Sequence, residues 1–255
     1  MAAILKVKDL CKTYIVNKNQ NNVLKNVSFE IENGEMVAIM GPSGSGKSTL
    51  LYNISGMDRP TAGEVIFDGK DITTFSEKEL SDFRLDRLGF IFQQMYMLNN
   101  LTIMDNILLP AYQSEKNKKS RAKINEYCRE IMHKLSISEI ALNDISEVSG
   151  GQLQRACICR SIINNPDIIF ADEPTGALNR KNSDDVMSEL NKLNNEGKTI
   201  VLVTHDRNVA TKCSRILYIM DGNIKGELSL SKLTDESTLR DREKRVNGWL
   251  ENMGW

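Results

Sequence analysis

The sequence has no long hydrophobic run and no appreciable excess of charge of either sign. No apolar stretch approaches the roughly 18 residues of a membrane-spanning helix. The N-terminus does not show the basic-then-apolar order of a signal peptide, so none is expected. The 33 Lys and Arg residues are balanced by 34 Asp and Glu residues, which gives no electrostatic case for broad nucleic-acid binding.

Paired cysteines are also absent. The five cysteines contain no C-x-x-C motif, and Cys157 and Cys159, two residues apart on a predicted helix, should point to different faces. We therefore expect neither a disulfide framework nor a cysteine metal site, and a reducing cytosol fits this pattern best. The 255 residues, 40% of them hydrophobic, suffice for one domain or two small subdomains with a buried core.

A glycine-rich stretch from Gly41 to Ser48 matches the phosphate-binding pattern G-x-x-x-x-G-K-[ST]. Glycines let several backbone N–H groups approach a polyphosphate, Lys47 adds a positive charge at the terminal phosphates, and the Ser48 hydroxyl can ligate Mg²⁺. The predicted nucleotide-binding residues here are Gly41, Pro42, Ser43, Gly44, Ser45, Gly46, Lys47, Ser48 and Thr49.

The surroundings of this stretch favour the phosphate loop over a glycine-rich surface turn. An apolar run of strand length, Met36–Met40, precedes it, and residues 48–55 are typical of a helix. The helix N-terminus also favours anions. Strand, loop and helix therefore follow in the order that the motif requires.

The N-terminal region is predicted to be β-structure over residues 4–31, with a polar, asparagine-rich loop at residues 17–22. Tyr14 lies just before that loop. Its flat ring has two interpretations, a platform for a purine base or an ordinary strand side chain. Spacing alone favours the strand side chain.

Between the phosphate loop and the middle of the chain, Asp68 and Gly69 predict a hairpin turn that joins residues 64–67 to 70–72. Residues 76–88 are predicted as a helix with Ser76 as N-cap. A short strand, residues 89–93, ends at Gln93. The methionine-rich residues 94–104 suit either an adaptable contact surface or the local core.

Three polar motifs follow, each at the end of a predicted strand or the start of a helix. A helix is predicted at 153–163, with Ser149 as a good N-cap. Ser149, Gly150, Gly151 and Gln152 form a second potential anion site there, which is weak when taken alone. Asp172 and Glu173 close an apolar strand at 167–173, where Asp172 can hold Mg²⁺ and Glu173 can orient and deprotonate a water. The alternative is a pair of solvated acids in a turn. His205 ends the strand at 198–205 and can hydrogen-bond a terminal phosphate.

Two segments each allow a purely structural and a functional interpretation. A local basic run, formed by Lys116, Lys118, Lys119, Arg121 and Lys123, favours a solvated helix start over an anionic membrane contact. The charged tail, residues 231–255, is predicted to be helical. Its loose apolar stripe favours packing on the protein's own body over docking to a partner.

The ordered set of five motifs resembles the ATP-binding subunit of ABC transporters, and the resemblance covers nearly the whole chain to about residue 228. It implies an α/β fold with a P-loop NTPase core (a RecA-like parallel sheet), an antiparallel β subdomain and an α-helical subdomain at about 94–163. The residues from 229 to 255 form a separate, predicted helical tail.

The same resemblance implies roles for the motif residues. Two copies would pair head to tail, with ATP between the phosphate loop of one and Ser149–Gln152 of the other. Tyr14 would stack on adenine, and Glu173 would serve as catalytic base. Gln93 would contact Mg²⁺ and sense a membrane permease subunit, which also gives residues 95–104 a contact surface, and His205 would hold the γ-phosphate. The resemblance implies attachment, through the permease, to the cytoplasmic face of the membrane, and no nucleic-acid partner is expected.

Further stretches, residues 84–93, 106–110 and 172–177, resemble one branch of that family, which contains the macrolide-exporter, lipoprotein-release, cell-division and antimicrobial-peptide-resistance ATPases. Residues 170–178 resemble the peptide-resistance group of Gram-positive bacteria most. Two residues depart from the family pattern. Val148 replaces a usual leucine, and Asn179 replaces a usual aspartate, which puts turnover and the coupling of the two sites in question.

Other classes of ATPase fit less well. DNA-repair and chromosome-organising relatives carry a long coiled-coil insertion, whereas the stretch from Gln93 to Ser149 is short and lacks sustained heptads. Translation-factor relatives carry two cassettes in one chain, and this chain has one. An ATP-binding scaffold without turnover is disfavoured by Glu173, although Asn179 leaves that alternative open.

Overall fold

The computed structural model describes residues 3–114 and 121–255, so Lys116, Lys118 and Lys119 of the predicted basic run lie outside the described residues. The chain divides into two compact units, one formed by Met1–Leu80 with Asn191–Trp255 and the other by Ser81–Leu190. In chain order, the strands and α-helices are β1 (Ala3–Val16), β2 (Asn19–Glu32), β3 (Met36–Met40), α1 (Lys47–Ile54), β4 (Ala62–Phe67), β5 (Lys70–Asp71), α2 (Glu77–Arg87), β6 (Leu88–Ile91), α3 (Ile103–Gln113), α4 (Arg121–Lys134), α5 (Gly150–Ile162), β7 (Ile168–Asp172), α6 (Arg180–Asn195), β8 (Thr199–Val203), α7 (Arg207–Thr211), β9 (Arg215–Met220), β10 (Asn223–Ser229) and α8 (Leu239–Asn252).

The first unit contains an antiparallel sheet in the order β2-β1-β4-β5. The predicted hairpin at Asp68 and Gly69 is confirmed, because β4 and β5 pair on either side of it. The predicted loop at residues 17–22 is wrong from Asn19 onward. β2 begins at Asn19, and Asn21 pairs with Tyr14 on β1. Pairing with a long neighbouring strand here overrides the low β-propensity of asparagine.

The same unit holds the phosphate loop on a mainly parallel arrangement of strands. β3 pairs in parallel with β8 on one side and with β9 on the other, and β10 adds an antiparallel edge next to β9. All five residues of β3 and of β8 are buried. These strands are continuous apolar runs because parallel strands are covered on both faces.

The second unit combines a parallel pair of strands with helices. β6 runs parallel to β7, with Leu88 opposite Ile168 and Ile91 opposite Ala171. Phe90 and Phe170 stack across this pair with ring centroids 6.0 Å apart. Helices α3, α4 and α5 pack on one another and bury the apolar sides of α3 and α4. Parallel strands, an antiparallel sheet and packed helices confirm the predicted α/β class.

The C-terminal helix α8 packs on its own unit, as predicted. Val246 and Leu250 are fully buried, and Trp249 meets the ring of Tyr218 on β9 edge to face at 6.2 Å. The buried guanidinium of Arg242 donates hydrogen bonds to the backbone carbonyls of Thr211 and Cys213, at and just beyond the end of α7. The loose apolar stripe of the tail is therefore a packing surface.

Three strand ends differ from the prediction. β6 ends at Ile91 and β8 at Val203, so Gln93 and His205 lie two residues beyond their strands, and Glu173 lies one residue beyond β7. Strand pairing stops where the chain turns away, which an apolar pattern does not show. Within the part of the chain that the structure describes, no helix is both long enough and apolar enough to cross a bilayer.

Candidate functional site

The phosphate loop connects β3 to α1 through a turn that requires glycine. A Cβ atom at Gly41 would lie 2.0 Å from the carbonyl oxygen of Ile219, and Gly46 has a φ of +101° at the start of α1. Neither position tolerates a side chain without movement of the backbone. The local sequence therefore fixes the close approach of backbone that phosphate binding requires.

Side chains of this loop supply one cation and one buried hydroxyl. The Lys47 ammonium donates hydrogen bonds of 2.9 Å to the carbonyl oxygens of Gly41 and Pro42, which anchors it on the loop itself. The Ser45 hydroxyl is buried and has no hydrogen-bond partner among residues 3–114 and 121–255. An unpaired buried hydroxyl is costly, and a polar ligand in the loop would satisfy it. The exposed residues of the loop are Pro42, Ser43 and Gly44, whereas Ser48 and Thr49 are half-buried.

Tyr14 lies on β1 in the same unit, with 39% of its surface exposed. Its hydroxyl donates to Asp58 Oδ2 at 2.7 Å and also interacts with the Thr49 hydroxyl. Burial and the Asp58 carboxylate raise the pKa of Tyr14 to about 12. Burial acts to raise the pKa of Asp58 as well, but hydrogen bonds from Lys12 and Tyr14 outweigh it and lower that pKa. The phenol is therefore neutral and the carboxylate charged at neutral pH.

In the second unit, Ser149 is the N-cap of α5, as predicted. Its hydroxyl accepts a hydrogen bond from the Gln152 backbone N–H, and the Gln152 side chain accepts one from the Ser149 N–H at 3.0 Å. This capping box leaves Ser149 and Gly150 exposed at the start of the helix. A Cβ atom at Gly151 would instead press on the Asn182 side chain, 3.1 Å away.

The acidic turn follows β7 directly. Asp172 is only 8% exposed at the end of that strand, and Glu173 has a φ of +47°, a conformation that side chains rarely adopt. The Gly176 N–H donates to the Glu173 carbonyl at 3.0 Å. Such strain persists only where neighbouring structure holds it, and it is concentrated at functional turns.

Gln93 lies against this acidic turn. A Cβ atom added at Gly176 would be 3.1 Å from the Gln93 Nε2 atom and 3.4 Å from Glu173 Cβ. The structure thus brings together Gln93 and Glu173, which the chain separates by 80 residues. An amide and a carboxylate therefore lie side by side just beyond the ends of β6 and β7.

Sequence reasoning missed a buried residue that ties this turn to the helix after Ser149. The Gln154 side chain, 2% exposed, donates a 2.7 Å hydrogen bond to the Pro174 carbonyl. A glutamine at the fifth residue of a helix gives no sequence signal of such a contact. Asp58, which anchors Tyr14, was missed for the same reason.

His205 lies in the first unit between β8 and α7. Thr204 is fully buried, and its hydroxyl accepts a hydrogen bond from the Asp206 N–H at 3.0 Å. Asp206 in turn caps α7 by accepting from the Asn208 N–H at 2.8 Å. These two bonds fix the turn on both sides of His205, whose side chain is exposed.

Asn179, one of the two departures from the family pattern, is the N-cap of α6. Its side-chain oxygen accepts a 2.9 Å hydrogen bond from the Asn182 N–H. Asparagine and aspartate cap helices about equally well, so the local fold does not depend on the missing charge.

Comparison with known families and proteins gives consistent matches. The family model described as ABC transporter matches residues 24–176. The bacitracin export ATP-binding protein BceA of Halalkalibacterium halodurans is 41% identical over 253 residues, which are 98% of this chain and 99% of that protein. The uncharacterized ABC transporter ATP-binding protein YknY of Bacillus subtilis is 42% identical over 221 residues, covering 87% of this chain and 95% of YknY.

Solved structures give the same result for the fold. The dimeric structure of MJ0796, a bacterial ABC transporter cassette, superposes with a TM-score of 0.83 at 41% identity, covering 90% of this chain and all of that one. A second dimeric structure of MJ0796, in a post-hydrolysis state bound to ADP and Pi, has a TM-score of 0.79 at 40% identity.

Proposed function

Because this chain belongs to the ABC transporter family, we propose that it drives the export, or the extraction from the membrane, of an antimicrobial peptide such as bacitracin. The chain is the ATP-binding and ATP-hydrolysing subunit of a transporter. The observation that supports a peptide substrate is the alignment with BceA. That alignment covers 98% of this chain, whereas the alignment with YknY covers 87%.

Nucleotide binding is assigned to the first unit. The backbone of the phosphate loop and the Lys47 ammonium would hold the phosphates of ATP, and the half-buried Ser48 and Thr49 open the helix whose N-terminus favours anions. The orphaned Ser45 hydroxyl supports this role, because a phosphate oxygen would give it a partner.

The residues also fit Mg²⁺ in their donor chemistry. The proposed ligands are the Ser48 hydroxyl, the Gln93 amide oxygen and the Asp172 carboxylate, all of them the oxygen donors that this ion prefers. Within the described ranges, no group of three or more His, Cys, Asp or Glu residues forms a metal cage. Mg²⁺ is usually bound through one or two carboxylates together with substrate phosphates, so one carboxylate suffices. Bound there, the ion would neutralise charge on the phosphate oxygens.

Hydrolysis is assigned to the acidic turn. Glu173 would orient a water and accept its proton as the water oxygen bonds to the γ-phosphorus, while the bond from that phosphorus to the bridging β-phosphate oxygen breaks and ADP leaves. Gln93, the proposed Mg²⁺ ligand, lies beside Glu173. His205 would donate a hydrogen bond to the same phosphate from its fixed turn. We assign Glu173 as the base because its strained backbone holds it directly after the buried Asp172.

A second copy of the chain and a membrane permease are the proposed partners. The exposed Ser149 and Gly150 at the start of α5 would meet the ATP held by the other copy in a head-to-tail dimer. The exposed side chains of Tyr96 and Leu98 suit contact with the permease, which would keep the protein on the cytoplasmic face of the membrane. Macrolide export, lipoprotein release or a cell-division role is the alternative within the same branch.

Drug sensitivity of a strain that lacks this gene tests the substrate. We expect the strain to become sensitive to bacitracin, and expression of the parent chain, but not of the Lys47→Ala chain, to restore resistance. The minimum inhibitory concentration of a macrolide, measured in parallel, serves as control. Restoration of macrolide resistance alone would contradict the peptide substrate and favour the macrolide alternative.

A further inference from the structure

Two contacts hold the Tyr14 side chain, and a third holds the carboxylate that it binds. Its hydroxyl donates to one oxygen of the Asp58 carboxylate at 2.7 Å, and Lys12 donates to the other oxygen at the same distance. The Lys12 ammonium also lies 4.8 Å from the centre of the Tyr14 ring, within the range of a cation–π interaction. Lys12 is itself 9% exposed and donates a further bond to the Arg59 carbonyl.

Two further contacts attach Tyr14 and Asp58 to α1, the helix that begins at the phosphate loop. The Tyr14 hydroxyl interacts with Thr49 on the first turn of α1. The Asp58 N–H donates to the Tyr52 carbonyl on the last turn of α1 at 3.0 Å. Both ends of α1 therefore hold the Tyr14 side chain, directly or through Asp58. Because Lys47 is the first residue of α1, the position of the ring relative to Lys47 is fixed.

We propose that Asp58 is a positioning residue for nucleotide binding, which holds the Tyr14 ring where the purine base of a nucleoside triphosphate stacks. This inference rests on the proposed function and adds a residue to it. A half-exposed tyrosine otherwise samples several rotamers, and ligand binding then has to immobilise it. With the ring already held, the base meets a fixed surface while the loop binds the phosphates. Lys12 acts through Asp58 and the ring.

Two ligands separate base stacking from phosphate binding. ATP uses the ring and the loop, whereas inorganic tripolyphosphate uses the loop alone. Replacing Asp58→Ala removes the anchor, and we expect the Kd for ATP to rise about three- to tenfold, the loss expected for one side chain that has to be immobilised on binding. The Kd for tripolyphosphate should stay at the parent value.

Two further variants keep the test sharp. Tyr14→Phe keeps the ring and removes the hydroxyl, so it should weaken ATP binding by a similar factor. The double variant, Tyr14→Phe with Asp58→Ala, should bind ATP with about the same Kd as the Tyr14→Phe chain, because both changes break the same contact. Glu64→Gln is the matched control, since Glu64 pairs with Lys8 on the same sheet at an exposed site and should leave both Kd values unchanged.

Calorimetry of the full chain with each ligand distinguishes the outcomes. An unchanged Kd for ATP in Asp58→Ala and Tyr14→Phe would overturn the inference, as would an equal loss for ATP and tripolyphosphate, which would mean general damage to the loop. Should Asp58→Ala fail to fold by circular dichroism, Tyr14→Phe decides the question by the same criterion, because it removes the hydroxyl that binds Asp58. A parent chain that binds tripolyphosphate but not ATP would contradict the proposed function itself.

Discussion

The hydrogen bond from Gln154 to Pro174 predicts a loss of hydrolysis without a loss of nucleotide binding. Replacing Gln154→Leu keeps the approximate volume but leaves the Pro174 carbonyl, on a buried residue, without this donor. An unsatisfied buried carbonyl costs about 1–3 kcal/mol. The adjacent Glu173 is already strained at a φ of +47°, and such strain also costs about 1–3 kcal/mol, so the turn has little to hold it once the bond is lost.

If the loss of the hydrogen bond destabilises the observed conformation of the turn by about 1–3 kcal/mol, Glu173 is out of its productive position for most of the time. A population shift of about 1.4 kcal/mol corresponds to a tenfold change, so we expect kcat for ATP hydrolysis to fall about tenfold or more. The Kd for ATP should change less than about twofold, because the phosphate loop lies in the other compact unit. Steady-state phosphate release and calorimetry measure the two quantities.

A matched control separates this effect from general destabilisation. The Asn164 amide donates to the carbonyls of Leu85 and Pro110 in the same unit, so Asn164→Leu removes a comparable side chain away from the acidic turn. Urea unfolding should show similar losses of stability for both variants. A Gln154→Leu chain that hydrolyses ATP as fast as Asn164→Leu would refute the reasoning.

Four other predictions address separate contacts. Gly176→Ala should lower kcat several-fold with little change in ATP affinity, because the new Cβ presses on the Gln93 amide at 3.1 Å; an unchanged kcat would contradict the contact. Asn179→Asp should keep the stability of the parent, since either residue caps α6, and any change in turnover would then report the restored charge. Spectrophotometric titration of the parent should show a tyrosinate component near pH 12 that is missing from Tyr14→Phe. Because the pKa of Tyr14 is raised from 10.0, the neutral phenol stabilises the folded chain fully below pH 10, and this stabilisation is lost between pH 10 and about 12. A thiol reagent should label Cys11 first in the native chain, because burial raises the pKa of Cys128 and Cys213 to about 12 and of Cys157 to about 11; rapid labelling that survives Cys11→Ser would contradict this.

Local patterns in the sequence predicted the features of the fold that depend only on residues close together in the chain. The phosphate loop lies between a buried strand and a helix, as its spacing required, and Ser149 caps α5 through the predicted side chain. Both features are decided within about ten residues of chain. The hairpin at Asp68 and Gly69 is of the same kind.

Contacts between distant segments could not be predicted in this way. Asn21 is a strand residue only because β1 extends far enough to pair with it, and Gln93 lies beyond its strand because β6 stops pairing at Ile91. Asp58 and Gln154 anchor Tyr14 and Pro174 through hydrogen bonds between separate elements, across 44 and 20 residues of chain. No periodicity or motif records such pairs, so the residues that hold the candidate site were found only in the structure.

The oligomeric state of the Glu173→Gln chain in Mg-ATP tests the central claim most directly. Removing the proposed base while leaving the phosphate loop and Ser149 intact should trap ATP between two copies, so light scattering should show a dimer with ATP, a monomer without it, and no phosphate release. A Glu173→Gln chain that stays monomeric while binding ATP, or that hydrolyses ATP at the parent rate, would contradict the account.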